Sequence, residues 1–380
     1  MNTDAEFGAS LHGFLQNLSR INWVLIALIT ALLSIGVLAL YSVSGGSFTP
    51  WASQQLLRAG LGFLLLFAVA LTPVRVWREL SPFIYLAACA LVVAGFFFGT
   101  SAKGAQRWVD LGFVSLQPSE FLKLGVVVLL ARYYSTLPRD KVSRPLWVAW
   151  PAALILAPAA LVAAQPDLGT SLLIAASGAI MMFLGGVHLL YFIATALLLA
   201  GAASVAILSR GTSWQIFQDY QYSRLDTFLN PDQDPFGGGY HITQSKIAIG
   251  SGGLNGRGFL QGSQSQMNFL PEKHTDFVFT TLAEEFGLIW CLILLAFYFL
   301  IVVICAVIAL RSLNRFCSLL VLGLGGTFFL YFSTNIAMVT GLIPVVGVPL
   351  PFISYGGSSL MVLMIAFGLI QSAQIYAQRR

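Results

Sequence analysis

The sequence predicts an all-α polytopic membrane protein with about ten transmembrane helices, cytoplasmic N- and C-termini and one long extracytoplasmic loop. Three observations carry that prediction. Only 9% of the 380 residues are charged and 57% are hydrophobic, whereas a soluble domain carries about 25% charge. Uncharged runs such as 59–74 and 83–98 approach the ~20 apolar residues a helix needs to cross a bilayer. Finally, basic residues alternate between successive connections, as the positive-inside pattern requires.

Taken in order, the apolar runs place spans at 22–42, 56–72, 82–99, 116–135, 148–165, 168–186, 188–208, 277–310, 317–340 and 351–375. No basic region followed by a short apolar core opens the chain, so the first span is expected to insert and stay. Arg20, then Arg75 and Arg78 between spans two and three, then Arg139, Lys141 and Arg144 between four and five, share one side with Arg311, Arg315, Arg379 and Arg380. The opposite connections hold little basic charge beyond Arg58, Lys103 and Arg107, and they carry most of the carboxylates. Spans five and six are separated only by QPDLGT. The connection at about 209–275 is the one long loop, with ten glycines. Its aromatic residues, among them Trp214 and Tyr222, need a surface to pack on, which predicts short interfacial helices and not a separate domain. The whole chain, 1–380, therefore reads as one integral membrane domain. Cys89, Cys291, Cys305 and Cys317 lie in or beside apolar runs without a CxxC pair, as small buried hydrophobes do.

Ionisable groups within spans are expensive, which makes each a candidate for function. Glu120 and Lys123 in QPSEFLKLG are three residues apart and share a helix face. A self-neutralising structural pair and a functional pair are equally compatible with that spacing. Upstream, GAQRW offers Arg107 for a phosphate and Trp108 for an apolar or sugar face, or an interfacial anchor. Asp167 in QPDLGTS favours a turn and cap reading. Glu284 and Glu285 fall two to three turns inside span eight, where one is expected to face the bundle and the other a polar partner.

Asp276 lies at the outer mouth of span eight, beside Lys273 and His274. A helix N-terminus there favours an ionised carboxylate, and neighbouring cations add to that. A helix-start acid and a general base facing a glycine-rich loop remain level on these grounds. The cluster GSGGLNGRG lacks the GK[ST] ending and the preceding strand of a nucleotide loop; hinge glycines are the preferred reading.

The blocks GAQRWVDLGFVSLQPSEFLKL, QPDLGTS, GYHITQSKIAIGSGGLNGRGF, GSQSQMNFLPEKHTDFVFTTLAEEFG and PVVGVPLPFISYGGSS follow one another through most of the chain after about residue 100. In that order they resemble the SEDS family (shape, elongation, division and sporulation), and GVPLPFISYGGSS is closer to its elongation branch than to its division branch. The resemblance implies a peptidoglycan glycosyltransferase in the bacterial cytoplasmic (inner) membrane that polymerises lipid II on its outer face. It further implies Asp276 of HTDF as the catalytic aspartate, with Trp108, Glu120 and Lys123 supporting activity.

In that setting Asp276 would accept the proton of the attacking hydroxyl, and Lys123, Arg107 or Lys273 would stabilise the departing pyrophosphate, together with a divalent cation, Mg or Mn, of unassigned site. The expected partners are lipid II, the growing glycan strand, a class B penicillin-binding protein (a transpeptidase) and other membrane proteins of the elongation complex, and no nucleic acid. Two rivals stay open: a lipid II flippase, and a scaffold that only recruits a synthase.

Overall fold

The computed structural model describes residues 16–98, 100–102, 105–110, 115–216, 219, 222, 226, 229–230, 238–267, 269 and 273–377. Ten long helices occupy the ten predicted spans: α1 (Trp23–Val43), α2 (Trp51–Leu71), α3 (Val74–Phe98), α4 (Pro118–Thr136), α5 (Pro145–Ala163), α6 (Leu168–Gly185), α7 (Leu189–Leu208), α10 (Val278–Arg311), α11 (Arg315–Val339) and α12 (Gly357–Tyr376). The loop between α7 and α10 contributes α8 (Gly238–Gly252) and the single turn α9 (Ser263–Gln266), the short helices expected of its composition. Three short strands, β1 (Thr100–Ala102), β2 (Ala105–Asp110) and β3 (Ser115–Leu116), form an antiparallel sheet between α3 and α4. They lie in the connection between two apolar runs and are an addition to the all-α expectation.

Among the described residues nine helices are long and apolar enough to cross a membrane. The tenth, α4, carries Glu120, Lys123 and Arg132 in 19 residues. Its position explains how it keeps them. The helix packs against α3, α6, α11 and α12, so its first turns meet protein instead of lipid, and a polar group needs its partner there. At the other extreme, α7 buries only Ala206 and turns Leu197, Leu198, Leu199 and Leu208 outward.

Both ends of the described chain lie at one end of the bundle, where the Asn17 amide donates to the Tyr376 hydroxyl at 3.1 Å. That end also gathers the basic connections. Ser372 donates to the Thr72 carbonyl at 2.6 Å, and Arg315 donates to the carbonyls of Leu137 and Gly185 at 3.1 and 3.4 Å. Asn17 and Tyr376 therefore share one end of the bundle with these connections. Arg379 and Arg380, with Asp4 and Glu6, fall outside the described residues.

One element departs from expectation. The apolar run 277–310 reads as one span, but the helical path of α10 breaks at Gly287, with φ 77° and ψ −172°. A left-handed φ is costly for any residue with a Cβ. The break is clasped by the glycine-rich loop: Leu288 and Ile289 donate backbone N–H groups to Gly253 and Leu254, while Arg257 and Gly258 donate to Glu284 and Glu285. Glycines at 252, 256 and 287 permit this approach, because a Cβ at any of them would overlap backbone atoms of the facing segment. They act through close packing, which replaces the hinge reading. After the break, residues 288–311 still span roughly 36 Å at about 1.5 Å per residue, enough for the bilayer.

Gly287→Ala is thus expected to destabilise the protein by at least about 1–3 kcal/mol through backbone strain alone. Its Cβ would also meet the Leu254 carbonyl oxygen at 2.6 Å. Thermal unfolding in detergent checks this against Gly60→Ala, whose Cβ meets nothing within 4 Å and which should leave the midpoint unchanged or higher.

Candidate active site

The predicted polar residues gather at the end of the bundle opposite the termini. Asp276 occupies the turn 273–277 that leads into α10, half-buried, with Phe277 as the N-cap residue. The turn is held through three consecutive carbonyls. Tyr355 N–H donates to His274 at 2.9 Å, Ser354 Oγ to Thr275 at 2.5 Å, and Asn335 Nδ2 to Asp276 at 2.8 Å. Ser354 also accepts from the Leu350 N–H at 2.7 Å. The segment before α12 therefore acts as a mould for the turn. Gly347, at φ 69°, lies beside the carboxylate; a Cβ there would stand 3.5 Å from Asp276 Oδ2.

His274 has its ring stacked on Trp51, with centroids 4.2 Å apart and planes at 16°. Trp51 in turn meets Tyr355 edge-on at 4.8 Å, and the Arg58 guanidinium lies over Tyr355 at 4.4 Å. The structure thus shows His274 as part of an aromatic wall next to Asp276. Lys273 precedes it in the same turn, and burial pushes its ammonium below the ordinary lysine range.

Glu120 and Lys123 form the pair expected from their spacing, at 2.8 Å, both almost wholly buried. A third group completes it. Tyr331 donates its hydroxyl to Glu120 Oε2 at 2.5 Å and lays its ring under Lys123 Nζ at 4.3 Å. The ammonium is therefore compensated by a carboxylate and an aromatic face. A cavity of about 30 Å³ adjoins Glu120, Lys123, Thr327 and Tyr331, above the roughly 10–15 Å³ that a water needs.

Asp167 is the N-cap of α6, accepting from Thr170 N–H at 3.2 Å, and its other oxygen accepts from Gln117 Nε2 at 3.0 Å. The capping interpretation is the one the geometry supports, with the addition that Gln117 ties the cap to the start of α4. Asp167→Ala is expected to cost about 0.5–2 kcal/mol through the cap, seen as a lower thermal midpoint in detergent, while Asp167→Asn, which still accepts, should recover much of it.

Trp108 pairs with Thr100 across β1 and β2 and is half-buried at the same end. Arg107 precedes it on β2, its side chain outside the described part of the molecule. Glu284 and Glu285 depart from prediction: both lie before the break in α10, both are buried, and both meet polar groups of other segments. Glu284 accepts from Ser263 Oγ and Gln264 N–H at 3.0 and 3.1 Å, with Arg257 at 3.9 Å, and Glu285 accepts from Ser42. They fasten the glycine-rich loop and α1 to the broken helix.

Tyr331, Asn335, Ser354 and Tyr355 escaped the sequence reading. Each is a neutral polar residue in or next to an apolar run, where its cost is too small to stand out as a charge does. The blocks PVVGVPLPFISYGGSS and HTDF also lie far apart in the sequence, and nothing local in either shows that one is built on the other.

Together, the bundle of ten long helices and the cluster of buried polar groups at one of its ends, both among the described residues, define a polytopic membrane protein. The chain belongs to the FtsW/RodA/SpoVE family, whose model, described as "Cell cycle protein", matches residues 20–379. The SEDS resemblance is thereby borne out. It is 45% identical over 350 residues to "Peptidoglycan glycosyltransferase MrdB" of Escherichia coli K12, covering 92% of each chain. It is also 31% identical to "Stage V sporulation protein E" of Bacillus subtilis, over 93% of this chain and 97% of the other. A solved chain from the study "Structural coordination of polymerization and crosslinking by a peptidoglycan synthase complex" superposes with a TM-score of 0.78 at 28% identity, over 93% of this chain and 97% of that one. The Thermus thermophilus rod shape determining protein RodA superposes at 0.69 with 26% identity, over 93% and 96%.

Proposed function

We propose that this chain is the elongation-type peptidoglycan glycosyltransferase of its cell, a multi-pass protein of the bacterial inner membrane that polymerises lipid II on the outer face. The observation that carries this reading is the 45% identity to an enzyme of that name across 92% of both chains. The basic end of the bundle, with both termini, is assigned to the cytoplasm by the positive-inside rule. Asp276 then faces outward.

In the reaction the 4-hydroxyl oxygen of the acceptor N-acetylglucosamine attacks the anomeric carbon of the donor sugar. The bond from that carbon to the pyrophosphate breaks, its electron pair leaves on undecaprenyl pyrophosphate, and the hydroxyl proton passes to the Asp276 carboxylate. The mould of three bonded carbonyls keeps that carboxylate in place without reorganisation during the reaction. Trp51, His274 and Tyr355 provide an aromatic wall for sugar faces, with the Arg58 guanidinium over Tyr355, and Arg58, Arg107 and Lys273 are proposed to meet the charge of the leaving group. Lys123 is enclosed by Glu120 and Tyr331, so it supports the site from within and does not contact phosphate.

The described residues do not fit a resident divalent metal. No three His, Cys, Asp or Glu side chains converge among them, and the Asp167 and Glu120 carboxylates are engaged as cap and ion pair. No step is therefore assigned to such an ion. A crosslinking penicillin-binding partner is supported by the synthase-complex chain that this fold matches.

Purified protein in lipid vesicles, given lipid II alone and with its transpeptidase partner, tests the proposal. Glycan polymer is expected. Movement of the head group across the bilayer with no polymer under either condition would establish the flippase reading instead.

A further inference from the structure

Asp276 and the Glu120–Lys123 pair are far apart in sequence, yet one face of α11 reaches both. Tyr331 and Asn335 are four residues apart, so they project from the same side of that helix. Tyr331 ends on Glu120, and Asn335 ends on the Asp276 carbonyl.

Asn335 does more than support one turn. It is wholly buried, and its Nδ2 donates both to Asp276 and, at 2.7 Å, to the Val348 carbonyl. Val348 follows Gly347, the residue alongside Asp276 Oδ2. One amide therefore pins the backbone on both sides of the carboxylate: the turn that bears it and the segment beside it. Its Oδ1, by contrast, has no hydrogen-bond partner among the described residues. A buried amide with an unpaired acceptor carries a desolvation cost, so what favours asparagine here is its pair of donors.

We infer that Asn335 is a positioning residue for Asp276, and that Tyr331, through the shared face of α11, couples its placement to the buried Glu120–Lys123 pair. The inference rests on the assignment of Asp276 as general base. Two links follow from it, each removable by a near-isosteric change. Asn335→Leu keeps the branched outline of four side-chain heavy atoms and removes both donors. Tyr331→Phe removes a single oxygen and leaves the ring beneath Lys123.

The test uses full-length protein in lipid vesicles, with initial rates of polymer formation measured against lipid II concentration and thermal unfolding followed in parallel. Misplacing a reacting group by about 1 Å costs on the order of 100-fold in rate. Asn335→Leu is expected to lower kcat by about 100-fold and Tyr331→Phe by about tenfold, with KM within about threefold of wild type, as befits loss of an interaction used only in the transition state. The folded fraction should stay at its wild-type level.

A wild-type kcat in folded Asn335→Leu overturns the inference, as does a loss of kcat that only tracks the loss of folded protein. A raised KM at unchanged kcat overturns it too, since that marks a binding contact. Failure of both variants to fold also overturns it, because the bonds would then maintain the bundle and not the carboxylate. Asp276→Ala measured alongside separates the two assignments: activity in that variant defeats the general-base assignment, whereas an inactive Asp276→Ala with a fully active Asn335→Leu defeats only the positioning role.

Discussion

Asp276→Asn abolishes glycan polymerisation while the protein remains folded in the membrane. The substitution keeps the size of the side chain and exchanges a proton acceptor for an amide. General-base contributions of this kind amount to about 10²–10⁴-fold in rate, so the polymer signal should fall to background. The bonds that shape the turn come from backbone carbonyls at 274, 275 and 276, and all three survive the change. Thermal unfolding in detergent, run in parallel, separates loss of the proton acceptor from loss of the fold. Asp276→Glu retains the carboxylate but lengthens its arm by one methylene and so moves the accepting oxygen; partial activity is expected at most. Wild-type rates of polymer formation in Asp276→Asn would remove the general-base assignment and direct attention to another acceptor at the same boundary.

The membrane architecture was legible because burial in lipid imposes a composition rule on every span, and the ten helices coincide with the apolar runs. Even α4, with three charges in 19 residues, could be read from its VVVLL centre and the i, i+3 spacing of Glu120 and Lys123. What was not legible depended on distant segments. The break at Gly287 lies within an unbroken apolar run, where a lone glycine is an ordinary helix residue. Its left-handed φ is imposed by the backbone of 253–258, which the sequence places some thirty positions away. Glu284 and Glu285 consequently looked like groups inside a span when they are fasteners for a loop.

The candidate site divides in the same manner. Charges in apolar runs announce themselves through their cost, and Glu120, Lys123, Asp167 and Asp276 were all visible. Neutral donors carry a much smaller penalty. Nothing local distinguishes Asn335 or Tyr331 from any other polar residue in a helix until their partners, 59 and 211 positions distant in sequence, are known.

A second large effect is expected at Glu120, and it separates holding the fold from supporting the chemistry. Glu120→Ala leaves the Lys123 ammonium buried with only the Tyr331 ring as compensation. Removing one partner of a buried ion pair typically costs about 3–5 kcal/mol, a large part of the ~5–15 kcal/mol that stabilises a folded domain. The variant should show a sharply lower unfolding midpoint and poor recovery from membranes. Removing both charges is different, because desolvation of an ion pair offsets much of its attraction. A Glu120→Leu, Lys123→Met double variant should recover most of the stability lost by Glu120→Ala. The Tyr331 hydroxyl loses its acceptor in this variant, which accounts for the part of the stability that is not recovered. Activity supplies the decisive comparison. If the pair were only a structural brace, the double variant would polymerise lipid II at the wild-type rate once folded. Because Tyr331, bonded to Glu120, and Asn335, bonded to Asp276, share one face of α11, the expected result is instead a stable protein whose kcat stays at least about tenfold low. Recovery of folding without recovery of rate is the result that assigns the buried pair to the active site.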